Sequence, residues 1–295
     1  MRIRTIFLVA LLSFGIVPAS FAQDTLADIL KKESSNKPFN TIATFKATRI
    51  LLGHSVETRK KNVLEVSAMT RYWNTEAEQS NSFVADRMSA RFGLEYGISD
   101  RLTFGAGFSS VGNIYDTFFK YRLLHQQENG GNKISITVLQ TATYNSSSGS
   151  VYTIVPNDSF NDKLAFTTQL LIARKFTRNF SFQIAPTFIK RNTEFWPGDD
   201  QNHFALGFGA RYKVSPHVSI ASEYYYVANP IQSINTYNPF ALGVNWEMSD
   251  LMLQFKLTHT PHFVEDAFIT RSSRNFNFRD GNLFFGFHAT YFIQL

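Results

Sequence analysis

The sequence predicts an all-β fold: a single transmembrane antiparallel β-barrel of about twelve strands, preceded by a short N-terminal segment that lies in the periplasm or plugs the lumen. Three observations predict it. Bulky apolar residues alternate with small or polar ones along run after run, and a period of two belongs to a strand with two unlike faces. Short polar turns alternate with long loops, the connectivity of an outer-membrane barrel. The chain also carries 30 Phe, 12 Tyr and 3 Trp in 295 residues. A soluble fold must bury that many aromatics, whereas a barrel in lipid can turn them outward.

The N-terminus reads "MRIRTIFLVALLSFGIVPASFAQD", with Arg2 and Arg4, an apolar stretch from Ile6 to Val17, and Ser20-Phe21-Ala22 before Gln23. This is a secretory signal peptide over residues 1–22, cleaved after Ala22. The apolar stretch is too short for a spanning helix, which needs about 20 residues. Its removal takes two arginines and no acid, so the formal charge falls from +6 to +4. That excess is mild and spread out, which argues against a nucleic-acid partner. The chain has no cysteine, which excludes a lipoprotein anchor and disulfides.

Residues 23–62 precede the first strand. "DTLADILKKESS" (Asp24–Ser35) places Leu26, Ile29 and Leu30 at helical spacing and predicts a short amphipathic helix. "NTIATFKATRILLGHSVETRKKN" (Asn40–Asn62) is apolar enough to be ordered. Three placements are open to it: inside the lumen, as a periplasmic hairpin, or as a loose linker.

The barrel spans 63–295, with strands at 63–73, 86–98, 102–110, 115–126, 133–144, 163–176, 180–190, 203–214, 218–228, 239–248, 251–260 and 282–295. The eighth and ninth illustrate the pattern. Phe204, Leu206, Phe208, Ala210 and Tyr212 share one face, with Gly207, Gly209 and Arg211 opposite. After the polar break Ser215-Pro216-His217, Val218, Ile220, Tyr224 and Tyr226 alternate with Ser219, Ala221 and Glu223. Pro216 cannot donate to a ladder and marks the turn. Similar breaks stand at Ser99–Arg101, Thr177–Asn179 and Ser249–Asp250, with a longer one at Gln127–Asn132. Long loops fall at Asn74–Ala85, Asn145–Asp162, Asn192–Asn202, Asn229–Asn238 and Pro261–Gly281. The expected direction follows: turns and both mature termini face the periplasm, and the long loops face the exterior. The last strand puts Leu283, Phe285, Phe287, Tyr291, Ile293 and Leu295 on one face, like the assembly signal of outer-membrane barrels, although Leu295 stands where an aromatic is usual.

A soluble sandwich also alternates, but it turns its apolar faces inward and must protect its edges. Here strand after strand sets Gly, Ser, Thr or charge opposite a bulky apolar face, as at Gly105/Gly107 and Arg91/Glu95, which suits a wet lumen.

Five segments carry a family resemblance: "ATFKATRILLGHSVET" (Ala43–Thr58), "LEYGISDRLTFGAG" (Leu94–Gly107), "DTFFKYRLL" (Asp116–Leu124), "QLLIARKF" (Gln169–Phe176) and "ALGFGARYKVSPHVSIASEYYYV" (Ala205–Val227). The chain resembles the Bacteroidetes outer-membrane β-barrel family known as domain of unknown function 5777. The resemblance implies a barrel in the outer membrane of a Gram-negative bacterium and brings no catalytic residue with it.

By strand phase the lumen-lining charges are Arg91, Glu95, Lys120, Arg122, Arg211, Glu223, Glu247 and Lys256. Two roles are open to them. They can set ion selectivity, because low-dielectric walls focus their field, or they can pair across the lumen and fill it. Twelve strands at ~4.8 Å spacing and ~40° tilt give a backbone radius of roughly 12 Å, wide enough for a pore unless something plugs it.

His259 and His262 lie close together at a strand end, but no Cys or Glu completes a metal site at useful spacing. Asp199-Asp200 in "WPGDDQNH" reads as a solvated loop tip before a calcium site. Ser219 and His288 point inward with nothing local to couple them to an acid, and no GxSxG or HExxH motif is present. The expected function is non-enzymatic and without cofactor: a narrow passive channel, or a barrel closed by its N-terminal segment. A structural or partner-binding protein acting through its loops or periplasmic segment comes second, and an outer-membrane hydrolase third. Expected partners are outer-membrane lipid and the barrel-assembly machinery. A small solute or a periplasmic protein is left open.

Overall fold

A computed structural model of the chain describes residues 39–74, 85–147, 159–277 and 283–295. The expected signal peptide and the helix at Asp24–Ser35 lie outside the described residues. Twelve strands form one closed antiparallel barrel: β1 Val63–Trp73, β2 Arg87–Ser99, β3 Leu102–Ser109, β4 Ile114–Leu124, β5 Ser135–Asn145, β6 Leu164–Lys175, β7 Phe180–Arg191, β8 Asn202–Lys213, β9 Val218–Val227, β10 Phe240–Met248, β11 Leu251–Thr258 and β12 Phe284–Gln294. Each strand pairs with its neighbours in sequence, and β12 returns to pair with β1. The limits differ from those read in the sequence by at most two residues.

The two faces separate as the alternation requires. Along β4, Asp116, Phe118, Lys120 and Arg122 are buried, while Tyr115, Phe119, Tyr121 and Leu123 are exposed. The polar breaks owe their shape to one hydroxyl each. Ser99 Oγ accepts from the backbone N–H of Leu102 at 3.1 Å, Thr177 Oγ1 from Phe180 at 3.0 Å, and Ser215 Oγ from Val218 at 3.0 Å. A side-chain acceptor three residues back imitates a backbone turn. The Ser249–Asp250 connection is tighter and places Ser249 in the left-handed region at φ 42°. These connections, with residues 125–134, form the short-turn mouth. The other end is the long-loop mouth.

The outward face sets a stability expectation. Phe208 pairs with Ile184 and Tyr224 in mid-strand, whereas Phe204 sits near the start of β8. In a membrane Phe208→Arg should cost about 2–4 kcal/mol and Phe204→Arg about 0–1 kcal/mol. Folding titrations in bilayers measure both, and equal costs would mean that the depth assignment is wrong.

The lumen is filled from both ends. From the short-turn mouth, residues 39–62 enter and return, with Thr44–Val56 buried apart from the partly exposed Lys46. From the long-loop mouth comes a departure from the sequence reading. The β11–β12 connection was expected to run over the exterior, yet residues 259–272 fold into the barrel and carry a short helix, α1 (Glu265–Thr270). The physical reason is twofold. Phe263, Val264, Ala267, Phe268 and Ile269 are too apolar to lie in water, and they bury almost completely. Arg71 of β1 draws the loop inward by donating to the carbonyls of Thr260 and His262 while its guanidinium lies over the Phe263 ring. The apolar core therefore sits inside the barrel, where Ile50, Leu51, Leu52 and Val56 meet Phe118, Leu139, Leu171, Phe268 and Ile269.

Candidate functional site

The site is the contact between the N-terminal insert and the barrel wall. Residues Thr48–Ser55, "TRILLGHS", form a hairpin. Ser55 N–H donates to Thr48 O at 2.8 Å, Ile50 N–H to Gly53 O at 3.0 Å, and Arg49 bridges His54. A two-stranded hairpin alone is marginal in water, and its apolar tip offers Leu51 and Leu52 no solvent for their backbone groups. The wall supplies the partners instead.

Glu223 of β9 accepts three successive backbone N–H groups, from Leu51 at 3.0 Å, Leu52 at 2.7 Å and Gly53 at 3.0 Å. Tyr225 Oη donates to the same carboxylate at 3.0 Å. Three consecutive amides converging on one anion make a backbone nest. Gly53 is needed there, because a Cβ would collide with the Tyr225 hydroxyl and the Glu223 carboxylate. The tip carbonyls are met as well: Gln254 Nε2 donates to Ile50 O at 2.9 Å and Lys256 Nζ to Leu51 O. Further down, Lys120 Nζ donates to the carbonyls of Thr48 (2.7 Å), Ser55 (3.2 Å) and Glu57 (3.1 Å). Gln183 bonds twice to the returning strand, accepting from Val56 N–H at 2.7 Å and donating to His54 O at 2.8 Å.

Each lumen charge read from the sequence has a place. Glu223, Lys120 and Lys256 hold the hairpin backbone, as above. Arg122 pairs with Glu57 of the insert at 2.8 Å. Arg211 pairs with Glu247 at 3.2 Å, and Glu247 also takes Lys46 of the insert at 2.8 Å. Arg91 pairs across the wall with Asp116 at 2.9 Å through Nε. Glu95 is buried directly opposite Glu65, and Glu65 pairs with Arg59 of the insert at 2.5 Å. Apart from Glu95, these charges meet ion-pair or hydrogen-bond partners, most of them on the insert. Sequence reasoning missed Asp116, although it stands in phase with Lys120 and Arg122. It also missed Gln183 and Gln254, whose partners lie on a segment with no readable period.

At the short-turn mouth a cleft of about 1220 Å³ opens between the insert and the wall. Lys46, Arg59, Lys60, Arg101 and Arg122 line it with Glu57 and Asp100. The insert contributes its two stems to the lining, through Thr41, Phe45 and Lys46 on one side and Glu57 and Arg59 on the other.

The other residues singled out in the sequence have partners of their own. His288 is bonded to Gln254 (2.6 Å) and Thr290 (3.0 Å), and Ser219 Oγ accepts from Arg211 Nε at 3.1 Å. Among the described residues no three His, Asp, Glu or Cys side chains gather as a metal site. Burial holds His262 well below its ordinary pKa and His259 at about 4. Asp199 is buried, accepting from Ser233 Oγ at 2.5 Å and Trp196 N–H through its carboxylate, and so braces two loops.

Residues 45–292 match the family described as "Membrane bound beta barrel domain (DUF5777)". The chain belongs to this family. It is therefore a membrane-bound barrel, and because the match begins at Phe45 the lumen hairpin lies within the DUF5777 domain. No curated protein matches the sequence. Among solved structures, an outer-membrane channel from Pseudomonas putida F1 is similar at 13% identity, with 81% of this chain and 98% of that one covered and a TM-score of 0.48. The KdgM porin is similar at 8% identity, 77% and 98% coverage and a TM-score of 0.47. Likenesses at this level carry nothing over to this DUF5777 barrel.

The nest is open to direct test. Each buried donor left unsatisfied costs about 1–3 kcal/mol, and Glu223→Ala orphans three at once. Amide exchange at Leu51, Leu52 and Gly53 should accelerate by about a hundredfold or more, while exchange in β8 and β10 stays slow. Unchanged protection at the three amides would show that apolar packing alone holds the tip.

Proposed function

We propose that the protein is a passive channel of the outer membrane, held shut by its own lumen inserts, with the short-turn mouth toward the periplasm and no enzymatic activity. One observation carries the reading. The hairpin is gripped by wall side chains acting on its backbone, through Lys120, Gln183, Glu223, Gln254 and Lys256. If both inserts leave, these groups face an open lumen, and water can satisfy every one of them. A barrel that only needed filling would be served by apolar side chains, without the desolvation that buried charge costs. The basic cleft at the short-turn mouth suits a vestibule that gathers small anions.

Planar-bilayer recording tests the proposal. The intact protein should be nearly silent, and a chain lacking residues 23–62 should conduct. If that chain stays silent even when residues 262–272 are also shortened, the channel reading is lost. The barrel is then a structural or partner-binding protein.

A further inference from the structure

The two inserts enter from opposite mouths and meet at a buried ion pair. Arg49, at the base of the hairpin turn, places Nη1 at 3.1 Å from Glu265 Oε1, at the start of α1. Only 1% of the Arg49 side chain and 2% of the Glu265 side chain are exposed. The same Nη1 donates to Leu52 O at 3.1 Å, so the arginine also fastens the hairpin tip. His54 Nε2 lies 3.6 Å from Glu265, but burial, helped by the Arg49 charge, holds that imidazole well below its ordinary pKa and keeps it neutral. Arg49 therefore carries the charge opposite Glu265. Alongside, Phe268 of α1 meets Tyr225 edge-on at 5.2 Å, and Tyr225 is the residue that donates to Glu223 beneath the tip.

We propose that the inserts are one coupled unit, so that withdrawing residues 259–272 at the long-loop mouth releases residues 39–62 at the other, passing a signal across the membrane. The reason lies in what each insert leaves behind. Breaking a buried pair by removing one partner strands the other charge in a desolvated site, a far larger cost than loss of the pair as such. When α1 departs, Arg49 is stranded on the hairpin, and when the hairpin departs, Glu265 is stranded on α1. Either departure favours the other, and such coupling is reciprocal by linkage. An event that captures the long-loop mouth thereby changes what the short-turn mouth presents, whether or not any solute passes. The inference rests on reading residues 39–62 as displaceable, but not on conduction.

The absence of cysteine makes the test clean, since a single thiol can be placed in each insert. Thr44→Cys reports on the hairpin stem, because Thr44 Oγ1 is buried without a partner and the exchange loses no bond. Ser272→Cys reports on the loop, giving up one bond to Phe268 O. Labelling by a charged thiol reagent on the folded, heat-modifiable barrel gives the rates. Glu265→Gln should speed labelling at position 44, and Arg49→Met should speed labelling at position 272, each by about a hundredfold. The double variant Arg49→Met with Glu265→Met strands neither charge and should return both rates to within a few-fold of the parent. If each single variant exposes only its own insert, or if the double variant labels as fast as the singles, the coupling is refuted. Should the single variants fail to fold, a heat-modifiable double variant supports the pair as the coupling element, and a double variant that also fails overturns it. A barrel that never conducts can still pass this test, so it fails separately from the channel reading.

Discussion

A chain lacking residues 286–295 should fail to form a barrel at all. β12 is paired on both sides, in register with β1 from Val63↔Gln294 to Tyr72↔Phe285 and with β11 from Leu251↔Tyr291 to Thr258↔Phe284. The deletion removes most of these pairs and bares the edges of β1 and β11 together. In hydrocarbon an unpaired backbone group costs several kcal/mol, and open sheet edges do not occur there. The lost strand also braces the lumen, since His288 is bonded to Gln254, which reaches the hairpin at Ile50 O. Leu295 N–H donates to Asn62 O at 2.9 Å and pins the start of β1. The expected result is loss of the heat-modifiable, membrane-inserted form. A normal level of it from the truncated chain would refute the role of β12.

Twelve strands and their phases were legible because each strand faces two different media, and period two writes that difference into the sequence. Phe285 and Tyr291 are exposed and His288 and Thr290 buried because the alternation says so. The turns were legible through Ser99, Thr177 and Ser215, whose hydroxyls shape the backbone locally. What fills the lumen was not. "TRILLGHS" has no period, and the sequence around it leaves a lumen insert, a periplasmic hairpin and a loose linker all open. Its place is fixed by carbonyls and amides that meet Lys120, Gln183, Glu223 and Lys256, which lie on β4, β7, β9 and β11, and a single sequence does not reveal such partners. The inward loop left one signal. Phe263, Val264, Phe268 and Ile269 are too apolar for a connection exposed to water, although length alone made the segment look external.

Emptying the lumen should turn a silent protein into a conducting one, in two steps and with a definite ion preference. Without residues 23–62 the short-turn half of the lumen is clear, but Arg71 still holds residues 259–272 across the other half. Loss of the hairpin also leaves Glu265 without Arg49 and favours withdrawal of that loop. The first deletion should therefore conduct in an interrupted way, and shortening residues 262–272 should make the conductance steady. The wall charges then decide which ions pass. Arg91–Asp116 and Arg211–Glu247 are wall pairs and stay neutralised. Arg122 loses Glu57, while Lys120 and Lys256 lose the hairpin carbonyls. Arg71 loses its loop carbonyls, and buried Arg191 loses Thr270. Against these cations stand Glu223, without its nest, Glu65, without Arg59, and Glu95. The balance is positive and modest, so anions should be favoured by a few-fold at low salt. The Debye length is ~10 Å at 0.1 M and ~3 Å at 1 M, comparable with the lumen radius in the first case and well inside it in the second. Reversal potentials across a salt gradient should show the preference at 0.1 M and its near disappearance at 1 M. Cation preference would mean that Glu65, Glu95 and Glu223 outweigh the freed bases. Silence after both deletions would leave no pore to be selective.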